Sequence, residues 1–130
     1  MPLVRISLRQ GKPPEYRRAV GDAVHRAMVE AIGVPAHDRF QVVTEHAPDG
    51  LVYPPEYLGL AHTDDVVLVQ ITLNEGRGVE LKRVLYRRTA DLLAEAVGVR
   101  PEDVVVNLVE VPKENWSFGG GVASYAPGPA

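Results

Sequence analysis

Cysteine is absent from the 130 residues. That removes disulfides, thiolate nucleophiles and every Cys-based zinc or iron–sulfur site, and it is compatible with a reducing compartment. Long hydrophobic runs are missing as well. Runs such as Val66-Val67-Leu68-Val69 fall far short of the roughly 20 residues a spanning helix needs. No charged stretch followed by an apolar one opens the sequence, so the expectation is a soluble, unexported, cytoplasmic protein with no membrane partner. Positive charge is not in excess either: 14 Lys+Arg stand against 17 Asp+Glu, a formal charge of −3, which argues against nucleic acid as a partner. What is present is ordinary globular composition, 45% hydrophobic and 24% charged, in a length that suits a single domain over 1–130.

The sequence repeats itself. Shifted by half its length, 65 residues, Leu3, Val4, Ile6, Leu8 and Gly11 fall on Leu68, Val69, Ile71, Leu73 and Gly76 without a gap. Glu30-Ala31, Gly33-Val34, Asp38 and Glu45 fall on Glu95-Ala96, Gly98-Val99, Asp103 and Glu110. Each copy reads as strand, helix, strand, the first over 2–46 and the second over 66–111. In the first, Val4, Ile6 and Leu8 alternate with Arg5, Ser7 and Arg9, the period of a half-buried strand. Pro14 suits a first helical turn, and Tyr16, Ala19, Val20, Ala23, Val24, Ala27, Met28, Ala31 and Ile32 then recur at helical spacing until Gly33. Phe40 to His46 is the next strand. The second copy predicts strands over Val66 to Leu73 and Val104 to Val111 around a helix from Val79 to Val97. Residues 47–65 connect the copies, and 112–130 form a glycine-rich tail.

A strand, helix, strand unit closes as a right-handed crossover with parallel strands. The expected fold is therefore α+β, an α/β two-layer sandwich whose two tandem β-α-β units form one four-stranded sheet with both helices on one face. Continuous apolar runs at Val66 to Val69 and Val104 to Val106 read as strands buried on both faces. Leaving the second face in water costs several kcal/mol at about 25 cal/mol per Å2, so the expectation is an oligomer in which subunits cover each other's sheets. The alternative is that the segments around Tyr53 and Trp116 fold back over that face.

Chemistry gathers at few places. Pro2 opens the first strand, and its counterpart 65 residues on is the plain Val67. Proline after Met1 is a context in which aminopeptidases remove the Met, leaving a rigid secondary amine; α-amino groups titrate near pH 8, within reach of general-base work at neutral pH. A proline that merely starts a strand is the structural alternative. Arg77 lies in Asn74-Glu75-Gly76-Arg77-Gly78, where glycines at a helix N-terminus leave backbone N–H groups free and a guanidinium offers a bidentate seat for a carboxylate. Asp38 and its mate Asp103 both suit a turn before a strand. His25, His46 and His62 have no metal-ligand spacing, so no metal site is expected, and Gly119-Gly120-Gly121 lacks the lysine and helix of a phosphate loop.

Pro2 after Met1, the two β-α-β units, Asp38 within Gly33-Val34-Pro35-Ala36-His37-Asp38-Arg39, and Trp116-Ser117-Phe118-Gly119 together resemble the tautomerase superfamily, in particular its malonate semialdehyde decarboxylase branch. The resemblance implies a homotrimer, an N-terminal proline freed by loss of Met1, no cofactor, and a small carboxylate substrate. It implies catalytic roles for Pro2, Asp38 and Arg77, and substrate contacts from Asn74, Arg77, Trp116 and Phe118. The branch usually carries two arginines in the 74–78 loop, and Asn74 stands where the first would be. Keto-enol tautomerisation of a small α-keto or enol acid is therefore the expected activity. Decarboxylation or hydration of a three-carbon oxo acid is the alternative, and a non-catalytic ligand-binding trimer the second alternative.

Overall fold

A computed structural model describes residues 2–126; the expected loss of Met1 and the end of the tail, 127–130, lie outside the described residues. Strand β1 (Leu3–Arg9) is followed by helix α1 (Pro14–Ile32) and strand β2 (Phe40–His46). After the connection come β5 (Val67–Asn74), α2 (Val79–Val97) and β6 (Val104–Val111). The bounds of β2, α2 and β6 match the sequence reading. Strand β5 begins and ends one residue later than expected.

Punctuation repeats 65 residues apart. Gly33 and Gly98 close the two helices at φ 71° and 72°, their N–H groups donating to the Met28 and Ala94 carbonyls. Both adopt the left-handed conformation that a Cβ would disfavour. Gly11 and Gly76 turn the chain out of β1 and β5 at φ 118° and 121°.

The sheet order is β2-β1-β5-β6. Within each unit the strands are parallel, and the units meet antiparallel through β1 and β5, with Leu3 opposite both Phe40 and Thr72. Both helices lie on one face. Val4, Ile6 and Leu8 of β1 and Val67, Val69, Ile71 and Leu73 of β5 pack there against Val20, Val24, Ala27 and Met28 of α1 and Leu85, Leu92 and Leu93 of α2. Thr89, buried among them, donates its hydroxyl to the Leu85 carbonyl at 2.7 Å, which satisfies its polar group within the helix.

The other face differs from the expectation of strands apolar on both sides. Leu68, Gln70, Thr72 and Asn74 alternate with the buried set, and Gln70 donates to Asn107 of β6 at 3.2 Å. Phe40, Val42, Val105 and Val109 are exposed beside them. The continuous apolar runs misled because Leu68 alone interrupts the alternation of β5, while Gln70, Thr72 and Asn74 keep it.

Both ends of this open face are capped by chain outside the two units. At one end the connection contains a small hairpin of β3 (Glu56–Tyr57) and β4 (Leu60–Ala61) turning at Leu58, φ 51°, and Gly59. Nearby, the Arg9 guanidinium sits 4.5 Å over the Tyr53 ring. At the other end, the segment after β6 returns to Asn74 through Trp116.

Candidate active site

Pro2 is buried and precedes Leu3, whose strand partners Phe40 and Thr72 fix what surrounds it. Asp38 stands two residues before Phe40, and Asn74 two after Thr72. The loop from β5 to α2 then carries Arg77. The register alone thus brings Pro2, Asp38, Asn74 and Arg77 to one end of the sheet.

Asp38 is held in a turn, its N–H donating to the Pro35 carbonyl at 2.9 Å. His25, buried on α1, fixes the same turn by donating from Nε2 to the Ala36 carbonyl at 2.7 Å. The Asp38 side chain is 15% exposed, and His37, itself 88% exposed, approaches its Oδ1 no nearer than 3.6 Å. Its Oδ2 is buried with no hydrogen-bond partner among the described residues. A buried carboxylate oxygen without a donor is costly, so the site has acceptor capacity that a substrate or water can use.

Arg77 donates from Nη1 to the Asn74 carbonyl at 3.2 Å and forms no ion pair among the described residues. Gly78, at the N-cap of α2, has no side-chain cap, so the first N–H groups of the helix stay open beside it. Lys82 on the first turn of α2 binds Glu110 at 2.7 Å. That hydrogen bond holds the Glu110 carboxyl below its usual range, and the Gly76 N–H and the Arg77 charge add to the shift.

An aromatic cover completes the end. Trp116 and Phe118 stack at 5.0 Å with 13° between planes, and Phe118 stacks on Phe40 at 5.6 Å. Tyr125 meets the Phe118 edge-on at 5.7 Å. The sequence reading named Trp116 and Phe118 but missed Phe40 and Tyr125. Phe40 had a usable signal: strand alternation puts it on the open face beside Leu3. Cavities of about 400 Å3 between α1 and α2, and of about 320 Å3 beside Arg17 and Arg39, are not lined by Pro2.

Two family models, both described as tautomerase enzyme, match residues 38–119 and residues 2–61. The first spans more than half the chain. The chain belongs to the tautomerase superfamily. Among curated tautomerase relatives, the probable tautomerase YusQ of Bacillus subtilis (strain 168) is 37% identical over 95% of this chain and 97% of its own. A crystal structure of malonate semialdehyde decarboxylase, concerned with its decarboxylase and hydratase activities, superimposes with a TM-score of 0.88, at 37% identity over 94% of each chain. A symmetric trimer of fused 4-OT is 28% identical over 95% of this chain and 99% of that one, with a TM-score of 0.77. The tautomerase assignment carries an enzyme of the isomerase or lyase kind, so the non-catalytic alternative gives way. No helix among the described residues is long and apolar enough to cross a membrane.

Proposed function

We propose that this tautomerase interconverts the enol and keto forms of a small 2-oxo acid with Pro2, freed of Met1, as general base and acid. The observation that carries the reading is the convergence at one covered end of the sheet of Pro2, of Asp38, whose Oδ2 has no donor among the described residues, and of Arg77, which forms no ion pair among them. The neutral Pro2 nitrogen takes the 2-hydroxyl proton of the enol and returns a proton to C3, so that the C=C becomes C–C as C–O becomes C=O and the amine is regenerated. Arg77, with the open N–H groups of α2, seats the carboxylate. Asp38 offers its free oxygen to a substrate hydroxyl or a water, Trp116 and Phe118 wall the site against bulk solvent, and Asn74 sits between Arg77 and Trp116. No cofactor takes part. The chain is a single domain of two β-α-β units, 2–46 and 66–111, assembled as a cytoplasmic homotrimer that buries the open sheet face; exposed Phe40, Val42, Val105 and Val109 support this.

Replacing Pro2 by Ala leaves a primary, less rigid amine, and is expected to lower phenylenolpyruvate turnover at least tenfold. Unchanged turnover points to another base. The likeness to malonate semialdehyde decarboxylase favours one second reading, loss of CO2 from a 3-oxo acid. That reaction needs a protonated amine to polarise the carbonyl while the leaving carboxylate is held out of plane, which two cations serve better than one. With Asn74 in place of a second arginine, kcat/KM for tautomerisation is expected to exceed that for malonate semialdehyde. Decarboxylation faster by tenfold reverses the order.

A further inference from the structure

The side chain of Asn74 is already engaged. Its Oδ1 accepts the indole N–H of Trp116 at 2.7 Å, while its backbone carbonyl accepts from Arg77. The cover and the anchor are thus referenced to one residue. The segment 116–125 is closed on itself: Ser124 N donates to the Trp116 carbonyl at 3.1 Å, and Phe118 N donates to the Ser124 hydroxyl at 2.9 Å. Between them Gly119, Gly120 and Gly121 turn the chain at φ 132°, 72° and 70°. These two bonds tie the ends of the loop to each other. The loop grips the sheet through the indole on Asn74 and through the stack of Phe118 on Phe40. Offset ring stacks tolerate sliding, whereas an N–H to oxygen bond fixes distance and direction. The hydrogen bond therefore sets where the cover sits.

We propose that Asn74 is a positioning residue acting through Trp116: its amide oxygen latches the aromatic loop over the Pro2 end of the sheet, and Arg77 takes the substrate carboxylate. Asparagine suits the task because it supplies a neutral acceptor. Arginine carries donors only and cannot accept the indole N–H, so a second cation at position 74 and this latch exclude each other. Aspartate would keep the acceptor at the cost of a negative charge beside the anchor. The chain has exchanged anchoring capacity for a fixed cover, which suits substrates with one carboxylate and a flat apolar remainder that lies against the stacked rings.

The proposal rests on the tautomerase reading above, and its test is chosen to separate the two. Trp116 is the sole Trp, so its fluorescence reports the latch without any substrate. In Asn74→Leu the emission is expected to move to longer wavelength as the indole is released to water, and in Asn74→Asp to stay at the wild-type position. With phenylenolpyruvate, Asn74→Leu and Trp116→Phe are each expected to raise KM roughly tenfold, the scale of one lost hydrogen bond with its partner left unpaired, while kcat changes less than about threefold. The double variant is expected to be no worse than either single one. Unchanged emission in Asn74→Leu, or effects of the two substitutions that multiply, overturn the latch and make Asn74 a direct substrate contact. If the wild-type protein fails to turn over enol acids, the function falls and the emission comparison still decides the latch.

Discussion

The two ends of the open sheet face are built from residues 65 apart, and they differ in how much bonding capacity is already used. At the Val67 end, Arg9 pairs with Asp64 at 2.8 Å, donates to the Leu51 carbonyl from two of its nitrogens and lies over Tyr53. Lys12 pairs with Asp65 at 3.1 Å. Asp103, fully buried, accepts from the backbone N–H and the hydroxyl of Thr63 at 2.8 and 2.5 Å. At the Pro2 end the corresponding residues are Asn74, Arg77 and Asp38. There Arg77 meets only a carbonyl, and one Asp38 oxygen meets no donor among the described residues. One sequence pattern has become a closed structural cluster at one end and, at the other, an open one with bonding capacity unused among the described residues. The connection makes the difference, because Thr63 and Asp64 come from it and close the first cluster.

Making the same substitution at both ends tests this contrast. Arg77→Ala is expected to lower kcat/KM about a hundredfold through loss of a bidentate carboxylate contact, while Lys12→Ala, which breaks a half-exposed ion pair, leaves kcat/KM within about twofold. Equal losses would erase the functional asymmetry. Asp38→Asn is expected to lower kcat at least tenfold with the melting temperature unchanged or raised, since a buried acceptor without a donor loses its charge. Asp103→Asn turns an amide toward one Thr63 donor and is expected to cost about 1 to 3 kcal/mol of stability with kcat per folded molecule retained. Calorimetry and steady-state kinetics on the two variants read both halves of this crossing pattern. The smallest effect concerns Glu110, whose carboxyl is held low chiefly by Lys82. A depressed carboxylate stabilises the fold above its unfolded value and loses that contribution as pH falls through the folded one. The stability gap between the wild type and Lys82→Met, read by urea unfolding, is therefore expected to be constant above about pH 5 and to shrink at lower pH. A gap that grows on acidification contradicts the assignment.

Periodicity made most of the frame legible. Alternation at Val4, Ile6 and Leu8 and the spacing from Tyr16 to Ile32 report burial directly, because a strand face and a helix face repeat at different periods. The family was legible in Pro2, Asp38 and the Trp116 to Gly119 motif. The difference between Asp38 and Asp103 was not, since the partner that satisfies Asp103 is Thr63, 40 residues away in a segment without periodicity. Nor was the engagement of Asn74 by Trp116, 42 residues apart. A hydrogen bond between an isolated amide and an isolated indole leaves no repeating trace in sequence. The mixed character of the open face escaped for another reason: Leu68 made β5 read as uniformly apolar although Gln70, Thr72 and Asn74 are polar, while Phe40, Val42, Val105 and Val109 stay apolar beside them.

Synthesis proceeds from the N-terminus, and the candidate site joins the earliest described residues to the latest. Pro2 and Leu3 emerge early, but Thr72, the partner of Leu3 across the sheet, arrives only with the second unit. Trp116, Phe118 and Tyr125 follow once both units can already pair. The Pro2 end of the sheet thus stays without its aromatic cover until residues 116–125 have left the ribosome, so a chain stopped after β6 carries the frame of a tautomerase without its cover.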